Sequence, residues 1–171
     1  MLNTLRKIVQ EVNSAKDLKA ALGIIVLRVK EAMGSQVCSV YLLDPETNRF
    51  VLMATEGLNK RSIGKVSMAP NEGLVGLVGT REEPLNLENA ADHPRYRYFA
   101  ETGEERYASF LGAPIIHHRR VVGVLVIQQK ERRQFDEGEE AFLVTMSAQL
   151  AGFIAHAEAT GSISGRSEER R

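Results

Sequence analysis

Residues 37–55 have the sequence Val37-Cys38-Ser39-Val40-Tyr41-Leu42-Leu43-Asp44-Pro45-Glu46-Thr47-Asn48-Arg49-Phe50-Val51-Leu52-Met53-Ala54-Thr55. The first seven and the last six of these residues are mainly β-branched, aromatic or apolar, which is typical of strands. The middle segment contains Asp, Pro and Asn, which favour turns because they preset φ or hydrogen-bond their own backbone. The whole stretch therefore predicts a β-hairpin.

More extended segments follow the hairpin along the chain. They are predicted at residues 66–68, 84–87, 109–116 and 121–128. Between the last two lies His117-His118-Arg119-Arg120, and its run of polar, cation-forming side chains favours a solvated hairpin turn over a basic binding patch.

Amphipathic helices precede the first hairpin. Apolar residues recur every three or four positions over residues 2–13, and again from near Asp17 to Met33, with Gly34 as a C-terminal cap. Gly23 lies inside the second helix, where glycine costs about 1 kcal/mol relative to alanine. Its presence there predicts close packing against a neighbouring element.

The chain ends with a long amphipathic helix, predicted from Asp136 to about Ala159. Asp136 is the N-cap candidate, and Glu139 stands three residues later, as in a capping box. Residues 160–171 are almost devoid of apolar side chains, so they are expected to form a disordered tail or the start of a linker.

A glycine-rich segment, Gly73-Leu74-Val75-Gly76-Leu77-Val78-Gly79, predicts a short helix that starts at Asn71-Glu72. It lacks the glycine order of a dinucleotide fold and the Lys-Ser/Thr ending of a P-loop. The favoured interpretation is that the glycines let this helix lie close to the sheet. The alternative is that free N–H groups at residues 72–74 face the carboxylate or phosphate of a ligand.

The order of these elements predicts an α+β fold. Long helices at both chain ends would cover one face of an antiparallel sheet. The short helix and a polar, aromatic loop at residues 89–107 would cover the other face, where a ligand cavity can form.

Composition limits the classes of function. The chain has 171 residues, 22 basic and 22 acidic side chains, and 43% hydrophobic residues, as expected for one soluble domain. A neutral chain has no bulk attraction for nucleic acid or anionic membranes, so neither is expected as a partner. No secretory signal or membrane span is visible and Cys38 is the single cysteine, which together predict a cytoplasmic location.

No constellation of catalytic residues is evident. The chain has no Gly-x-Ser-x-Gly motif, and Cys38 lies within a strand pattern, where a buried small hydrophobe is the usual role. The histidines are isolated or adjacent, and the acidic pairs Glu82-Glu83 and Glu139-Glu140 fit exposed charge. The sequence therefore predicts no enzyme activity for this segment, no metal site and no cofactor.

Several groups of residues resemble the signature of GAF domains, in consistent order over roughly residues 17–157. They are Ser39-Val40-Tyr41-Leu42, Glu72-Gly73-Leu74-Val75-Gly76, Pro84-Leu85-Asn86-Leu87, Asp92-x-Pro94, Leu111-Gly112-Ala113-Pro114-Ile115, Gly123-Val124-Leu125 and Phe135-x-x-x-Glu139-Glu140. The resemblance implies a GAF-like, PAS-related sheet with a ligand cavity. It divides the chain into an N-terminal helix at 1–16, a GAF sensor domain at 17–159 and the tail at 160–171.

A narrower set of residues resembles the amino-terminal GAF domains of the nitrogen-branch Enzyme I family of phosphoenolpyruvate–protein phosphotransferases. It comprises Met1-Leu2-x-x-Leu5-Arg6-x-Ile8-Val9, Val37 to Leu42, Phe110-Leu111-Gly112-x-Pro114-Ile115-Ile116 and Gly123 to Gln129. This resemblance implies a regulatory domain that senses glutamine or 2-oxoglutarate and controls catalytic domains later in the same chain. The phosphorylated histidine motif and the phosphoenolpyruvate-binding part of that family are absent from these residues.

Other branches of the GAF family fit less well. Members that bind cyclic nucleotides carry an Asn-Lys, Phe, Asp-Glu set, which corresponds here to the degenerate Gln129-Lys130, Phe135 and Glu139-Glu140. Bilin-binding and methionine-sulfoxide-reducing members need cysteines that this chain lacks. Cyclic-nucleotide binding remains a remote alternative.

The predicted ligand is an amino acid or a dicarboxylate, because a polar ligand in a half-buried pocket needs paired charges and hydrogen bonds. Loop arginines would meet a carboxylate, backbone N–H groups near Gly73 would assist, and apolar side chains would form the walls. The predicted ligand-binding residues are Met53, Met68, Gly73, Leu74, Arg95, Arg97, Tyr98, Phe99, Arg106 and Phe110. The competing hypothesis is an interaction module without a ligand, forming a homodimer through its terminal helices; a cavity filled by its own side chains would favour it.

Overall fold

The computed structural model describes residues 2–99, 101 and 107–159, and within them the chain forms four α-helices and six strands. Arg106 and the predicted tail at 160–171 lie outside the described residues. In chain order the elements are α1 (Leu2–Asn13), α2 (Leu18–Met33), β1 (Val37–Asp44), β2 (Arg49–Glu56), β3 (Ser67–Met68), α3 (Gly73–Arg81), β4 (Leu85–Leu87), β5 (Ser109–His117), β6 (Arg120–Gln129) and α4 (Glu137–Ala159).

The strands form one antiparallel sheet in the order β3-β2-β1-β6-β5-β4. Both predicted hairpins are present: β1 pairs with β2 across the Asp-Pro turn, and β5 pairs with β6. The second hairpin turns at His118 and Arg119, which have φ angles of 50° and 67°. Two positive φ angles in succession match the right-handed twist of the strands they connect.

Each face of the sheet has its own hydrophobic core. Helices α2 and α4 pack on one face and α1 packs against these two helices, around fully buried side chains such as Ile25, Val29, Leu150 and Ile154. Helix α3 and its flanking loops pack on the other face. The predicted α+β architecture, with terminal helices on one face and the short helix on the other, is confirmed.

Local capping signals predicted the helix boundaries well. The Asp17 side chain accepts a hydrogen bond from the Ala20 N–H at 2.8 Å, and Gly34 ends α2 with a left-handed φ of 61°. At the start of α4 the predicted capping box forms. The Glu139 N–H donates to Asp136 Oδ1 at 2.8 Å, and the Asp136 N–H donates to Glu139 Oε1 at 2.9 Å.

The glycines of α3 serve close packing, which confirms the favoured interpretation. A Cβ atom at Gly79 would lie 2.3 Å from Cζ of Phe50 in β2, and one at Gly76 would lie 2.4 Å from the carbonyl oxygen of Ala69. The same prediction for Gly23 is wrong. Gly23 is exposed, and a Cβ atom there would meet nothing within 4 Å, because this side of α2 faces solvent.

None of the helices in the described part of the chain combines the length and the apolar character that crossing a membrane requires.

Candidate functional site

A small cavity lies between α3, the inner face of the sheet and residues 90–99. Its volume is about 40 Å³. A single water molecule needs a cavity of about 10–15 Å³, whereas ligand pockets usually measure about 300–1,000 Å³. The cavity is lined by Tyr41, Met68, Leu74, Val75, Ala90, Tyr96, Arg97, Phe99, Phe110, Val126 and Gln128. In this state the chain's own side chains fill most of the predicted ligand site.

Strand register brings the floor of the cavity together. Phe110 in β5 is the direct cross-strand partner of Gln128 in β6, and Tyr41 in β1 is the partner of Val124. Side chains two residues apart on a strand share a face, so Val126 and Gln128 point to the same side. The floor is therefore mainly apolar, with Tyr41 and Gln128 supplying polar atoms.

Charged groups meet at the mouth of the cavity around the carboxylate of Glu72. Glu72 Oε1 accepts hydrogen bonds from the Ala69 N–H at 2.8 Å and from Arg49 Nη2 at 3.3 Å. Glu72 Oε2 accepts a hydrogen bond from Arg97 Nη1, forming an ion pair. Arg49 is itself fixed by Ser67, whose side-chain oxygen accepts from Nε at 2.8 Å and whose carbonyl accepts from Nη2 at 3.0 Å.

The segment at residues 93–99 is held to the turn before α3 by two arginines. Arg97 contacts Glu72, and Arg95 Nη1 donates to the carbonyl oxygen of Asn71 at 2.9 Å. The Arg97 guanidinium also lies over the ring of Phe99, 4.8 Å from its centroid. Each of these two arginines, predicted to meet a ligand carboxylate, thus contacts an oxygen of the chain itself.

The structure gathers about half of the predicted ligand-binding residues at the cavity. Met68, Leu74, Arg97, Phe99 and Phe110 line it. Gly73 borders it, because a Cβ atom at Gly73 would lie 3.0 Å from the sulfur of Met68.

Three other predicted residues lie elsewhere. Met53 is the extra residue of a β-bulge, since Tyr41 pairs with Leu52 and Val40 with Ala54, and its side chain packs on the core beneath the terminal helices. Strand alternation alone cannot locate such a bulge. Tyr98 is 39% exposed and Arg95 is exposed on the loop surface; neither lines the cavity. Arg106, the tenth predicted residue, lies outside the described residues.

Sequence reasoning missed several residues at this site. Tyr41, Val75, Ala90, Tyr96, Val126 and Gln128 line the cavity, and Glu72 organises its mouth. The strand alternation of β1 and β6 could have indicated Tyr41 and Gln128. The role of Glu72 had a weaker signal, a lone carboxylate just before a glycine-rich helix.

A larger open groove lies on the opposite side of the molecule, between α1, α2 and α4. Its volume is about 450 Å³. It is lined by Val9, Val12, Asn13, Ile25, Met146, Gln149, Leu150, Gly152, Phe153 and His156. The groove is mostly apolar, and no residue predicted to bind the ligand contributes to it.

Reactive side chains and candidate metal ligands are sparse at the cavity beneath α3 and at the groove between α1, α2 and α4. Cys38 is fully buried, as predicted, and burial raises the pKa of its thiol, which disfavours the reactive thiolate. Across the described parts of the chain, no three His, Cys, Asp or Glu side chains come together in a way that could hold a metal ion.

Comparison with known proteins identifies the class. The family model of the GAF domain matches residues 17–154. The chain belongs to the GAF domain family, as its sheet order, its helix-covered face and its cavity beneath α3 also indicate.

Within that family, several proteins about 50% identical to this chain are phosphoenolpyruvate-dependent phosphotransferases or their GAF domains. The chain is 50% identical to the GAF domain of a phosphoenolpyruvate-protein phosphotransferase from Coxiella burnetii, with a TM-score of 0.90 over 94% of this chain and 95% of that one. It is 52% identical to the corresponding domain from Acinetobacter, with a TM-score of 0.86 over 94% and 96% of the two chains. A curated relative from Salmonella typhimurium, described as a phosphoenolpyruvate-dependent phosphotransferase system protein, is 48% identical over 160 residues. Those residues are 94% of this chain but 21% of the relative.

Proposed function

We propose that this chain is the regulatory, ligand-sensing domain of a phosphoenolpyruvate–protein phosphotransferase. The observation that carries the proposal is the identity of 50% and 52% to two GAF domains of such enzymes, over almost the whole of both chains. Sequence identity at that level is much higher than a shared fold alone requires. The catalytic domains would follow in the same polypeptide, and the protein would act in the cytoplasm.

The ligand in this proposal is glutamine or 2-oxoglutarate, bound at the cavity beneath α3. Arg97 supports a ligand that carries a carboxylate, because its guanidinium lies at the mouth with its side chain 52% exposed. The aromatic and aliphatic walls suit the carbon chain of such a ligand. Tyr41 and Gln128 add polar atoms to the lining.

The cavity must widen before it can hold either molecule, since its volume of about 40 Å³ fits only a few waters. The residues best placed to move are Arg97 and Phe99, which reach the surface, unlike the buried floor residue Phe110. A ligand that binds only the open state shifts the equilibrium by its differential affinity for the two states. The closed state described above would then be the ligand-free state.

A short path along the chain and through one pair of hydrogen bonds supports transmission from this site to α4. Ala90 lines the cavity and lies just after β4, and the carboxamide of Asn86 in β4 makes two hydrogen bonds to the main chain of Phe135. Phe135 directly precedes the capping box of α4. Movement of residues 90–99 would therefore reach the helix that leads toward the following domains.

A thermal-shift screen tests the proposed function. The chain is heated with glutamine, 2-oxoglutarate, glutamate, cyclic AMP or cyclic GMP, each at saturating concentration. At about 100 times its dissociation constant a ligand adds about 2.7 kcal/mol, a shift of several degrees for a domain of this size. Stabilisation by glutamine or 2-oxoglutarate alone is expected. A shift with a cyclic nucleotide instead, or with none of the five compounds, would contradict the proposal.

A second candidate function is favoured by the small cavity and the larger groove. In this alternative the domain binds no ligand and pairs with a second copy of itself through α1 and α4, whose apolar side chains line about 450 Å³ of open groove. Analytical ultracentrifugation distinguishes the two. A dimer that Phe153→Glu dissociates, and that a change at the exposed Val144 outside the groove leaves intact, would favour the interaction module.

A further inference from the structure

A separate open cleft lies on the α3 side of the sheet, at the other end of α3 from the cavity. The cavity borders the first turn of α3 at Leu74, whereas this cleft borders its last turn at Gly79 and the residue that follows it, Glu82. The volume of the cleft is about 330 Å³. That volume lies within the range of about 300–1,000 Å³ that ligand pockets usually have.

Strand register brings the ends of both hairpins to this cleft. Leu42 in β1 pairs with Gly123 in β6, so the turn after β1 and the turn before β6 lie at the same end of the sheet. The first turn contributes Asn48 to the lining. The second turn contributes Arg119, and the adjacent Arg120 is the first residue of β6. Two neighbouring arginines therefore border the same cleft.

The guanidinium groups of these two arginines are free to bind a partner. Arg119 and Arg120 are both exposed, and neither side chain makes a hydrogen bond or an ion pair with any residue that the structure describes. By contrast, Arg97 and Arg133 each contact a carboxylate of the chain itself. Two unpaired positive charges beside a cleft favour an anionic partner, because each guanidinium can hold a carboxylate or a phosphate with two hydrogen bonds.

The backbone around the cleft adopts conformations that most side chains disfavour. In the described part of the chain five residues other than glycine have a positive φ; they are Asn48, Asn71, Glu82, His118 and Arg119, at 56°, 68°, 58°, 50° and 67°. Three of these residues line the cleft, and the other two adjoin lining residues in the sequence. A tight hairpin turn favours asparagine and glycine at such positions. An arginine at position 119 therefore costs conformational energy, and strain of this kind is typical of functional sites.

Apolar side chains form the rest of the lining. Phe50 is buried at the base, and the half-buried Leu43 and Val121 flank it. Inorganic phosphate has no apolar part to place against these side chains. A nucleic acid needs many positive charges at once, and the acidic Glu82 also borders the cleft. A peptide that carries carboxylates beside an apolar side chain complements both the arginines and the apolar walls.

We propose that this cleft docks an acidic peptide segment of a partner protein. Its carboxylates bind Arg119 and Arg120, and an apolar side chain next to them packs against Leu43 and Val121. The docking surface is separate from the cavity at the other end of α3, so this inference and the proposed function are independent of each other.

A library of random short peptides displayed on phage tests the inference, with the immobilised 171-residue chain as the target. Peptides that bind the wild type but not Arg119→Gly are expected to carry several carboxylates beside a leucine or an aromatic residue. The peptide recovered most often is then labelled and titrated by fluorescence anisotropy. Arg119→Gly and Arg120→Gln should each weaken its binding about tenfold. The control Arg6→Gln, at an exposed position on α1 outside the cleft, should change the affinity by less than about twofold.

Two further readouts separate binding from folding. Glycine is at ease with the positive φ at position 119, so Arg119→Gly should not lower the melting temperature although it weakens binding. Glu82→Gln removes a negative charge from the lining and should strengthen binding of the acidic peptide about threefold. A loss of folding cannot produce such a gain in affinity.

Several results would overturn the inference. One is that no peptide is enriched, and another is that the enriched peptides lack carboxylates or bind Arg119→Gly as well as the wild type. Binding of inorganic phosphate or single-stranded DNA that depends on Arg119 would assign the cleft to a different anion. Self-association that Arg119→Gly abolishes in analytical ultracentrifugation would assign it to a second copy of the chain. None of these results would alter the thermal shifts expected for a ligand at the cavity.

Discussion

The carboxamide of Asn86 makes two hydrogen bonds to the main chain of Phe135, 49 residues later in the sequence. Nδ2 donates to the Phe135 carbonyl oxygen at 2.8 Å, and the Phe135 N–H donates to Oδ1 at 3.1 Å. The Asn86 side chain thus pairs with the Phe135 main chain as the backbone of a neighbouring strand would. This pair of hydrogen bonds joins β4, the edge strand beside β5, to the residue that precedes α4.

Loss of this connection should both destabilise the domain and weaken its internal coupling. Asn86→Ala leaves one N–H and one carbonyl of a buried residue without their partner, which costs about 1–3 kcal/mol in the free energy of unfolding. Urea denaturation measures this cost. Asn3→Ala, at an exposed position on α1, is the control and should change stability by less than about 0.5 kcal/mol. Equal effects of the two substitutions would show that the Asn86 contacts are weak.

The ion pair between Arg133 and Glu139 stabilises the start of α4. Nη1 and Nη2 of Arg133 donate to Oε1 and Oε2 of Glu139, each at 2.8 Å. Glu139→Gln should lower stability at pH 7 by about 1–2 kcal/mol, because one of two charge-assisted bonds is replaced and both groups are partly exposed. Glu137→Gln, an exposed neighbour in the same first turn, should have little effect.

The same pair predicts a pH dependence. The Arg133 hydrogen bonds hold the pKa of Glu139 below its ordinary value of 4.5. A carboxyl whose pKa is depressed by folding stabilises the folded state above its unfolded pKa, and this contribution is lost as the pH falls through the folded value. The stability difference between wild type and Glu139→Gln should therefore be constant above about pH 5.5 and shrink below pH 4.5. Denaturation curves at several pH values test this; a difference that grows on acidification would contradict it.

Two glycines at helical positions should respond in opposite directions to alanine. Gly23→Ala should raise stability by about 0.5–1 kcal/mol, since the new methyl group meets only solvent and alanine favours the helix. Gly79→Ala should lower stability by about 1–3 kcal/mol, because its methyl group would overlap the Phe50 ring. Melting temperatures of the two variants give the comparison, and changes of the same sign would contradict the packing described for α3.

Cys38 should be unreactive in the folded domain. Its side chain has no exposed surface, and burial raises the pKa of its thiol. A colorimetric thiol reagent at pH 8 should label it only after unfolding in denaturant. Labelling of the native protein within minutes would mean that β1 opens readily.

Local features of the sequence predicted most of the fold. Strand alternation gave both hairpins, and Asp17, Gly34 and Asp136 marked helix ends, because caps and turns depend on residues within a few positions of one another. Contacts between residues far apart in the sequence could not be predicted from such local patterns. Glu72 meets Arg49 and Arg97, which lie 23 and 25 residues away, and neither spacing is a local pattern.

The direction in which a residue of a helix or strand points was harder to predict than the position of that helix or strand in the sequence. Met53 was predicted at the cavity but lies on the other face, because Phe50 and Leu52 point toward the cavity side and successive strand side chains alternate. Gly23 was predicted at a close contact but faces solvent, since its helix turns that side away from the core. The size of the cavity depends on how Arg97 and Phe99 fold over it, which composition and spacing do not determine.

An NMR titration of the ¹⁵N-labelled chain with L-glutamine tests most directly whether a small molecule binds at the cavity beneath α3. We expect the largest amide shifts at residues 68–78 and 89–99, followed by smaller ones near Phe135. Amides around Gly152 and Phe153, in the groove on the opposite face, should stay unchanged at the same concentrations. Shifts confined to that groove, or no shifts at saturating glutamine and 2-oxoglutarate, would contradict the account.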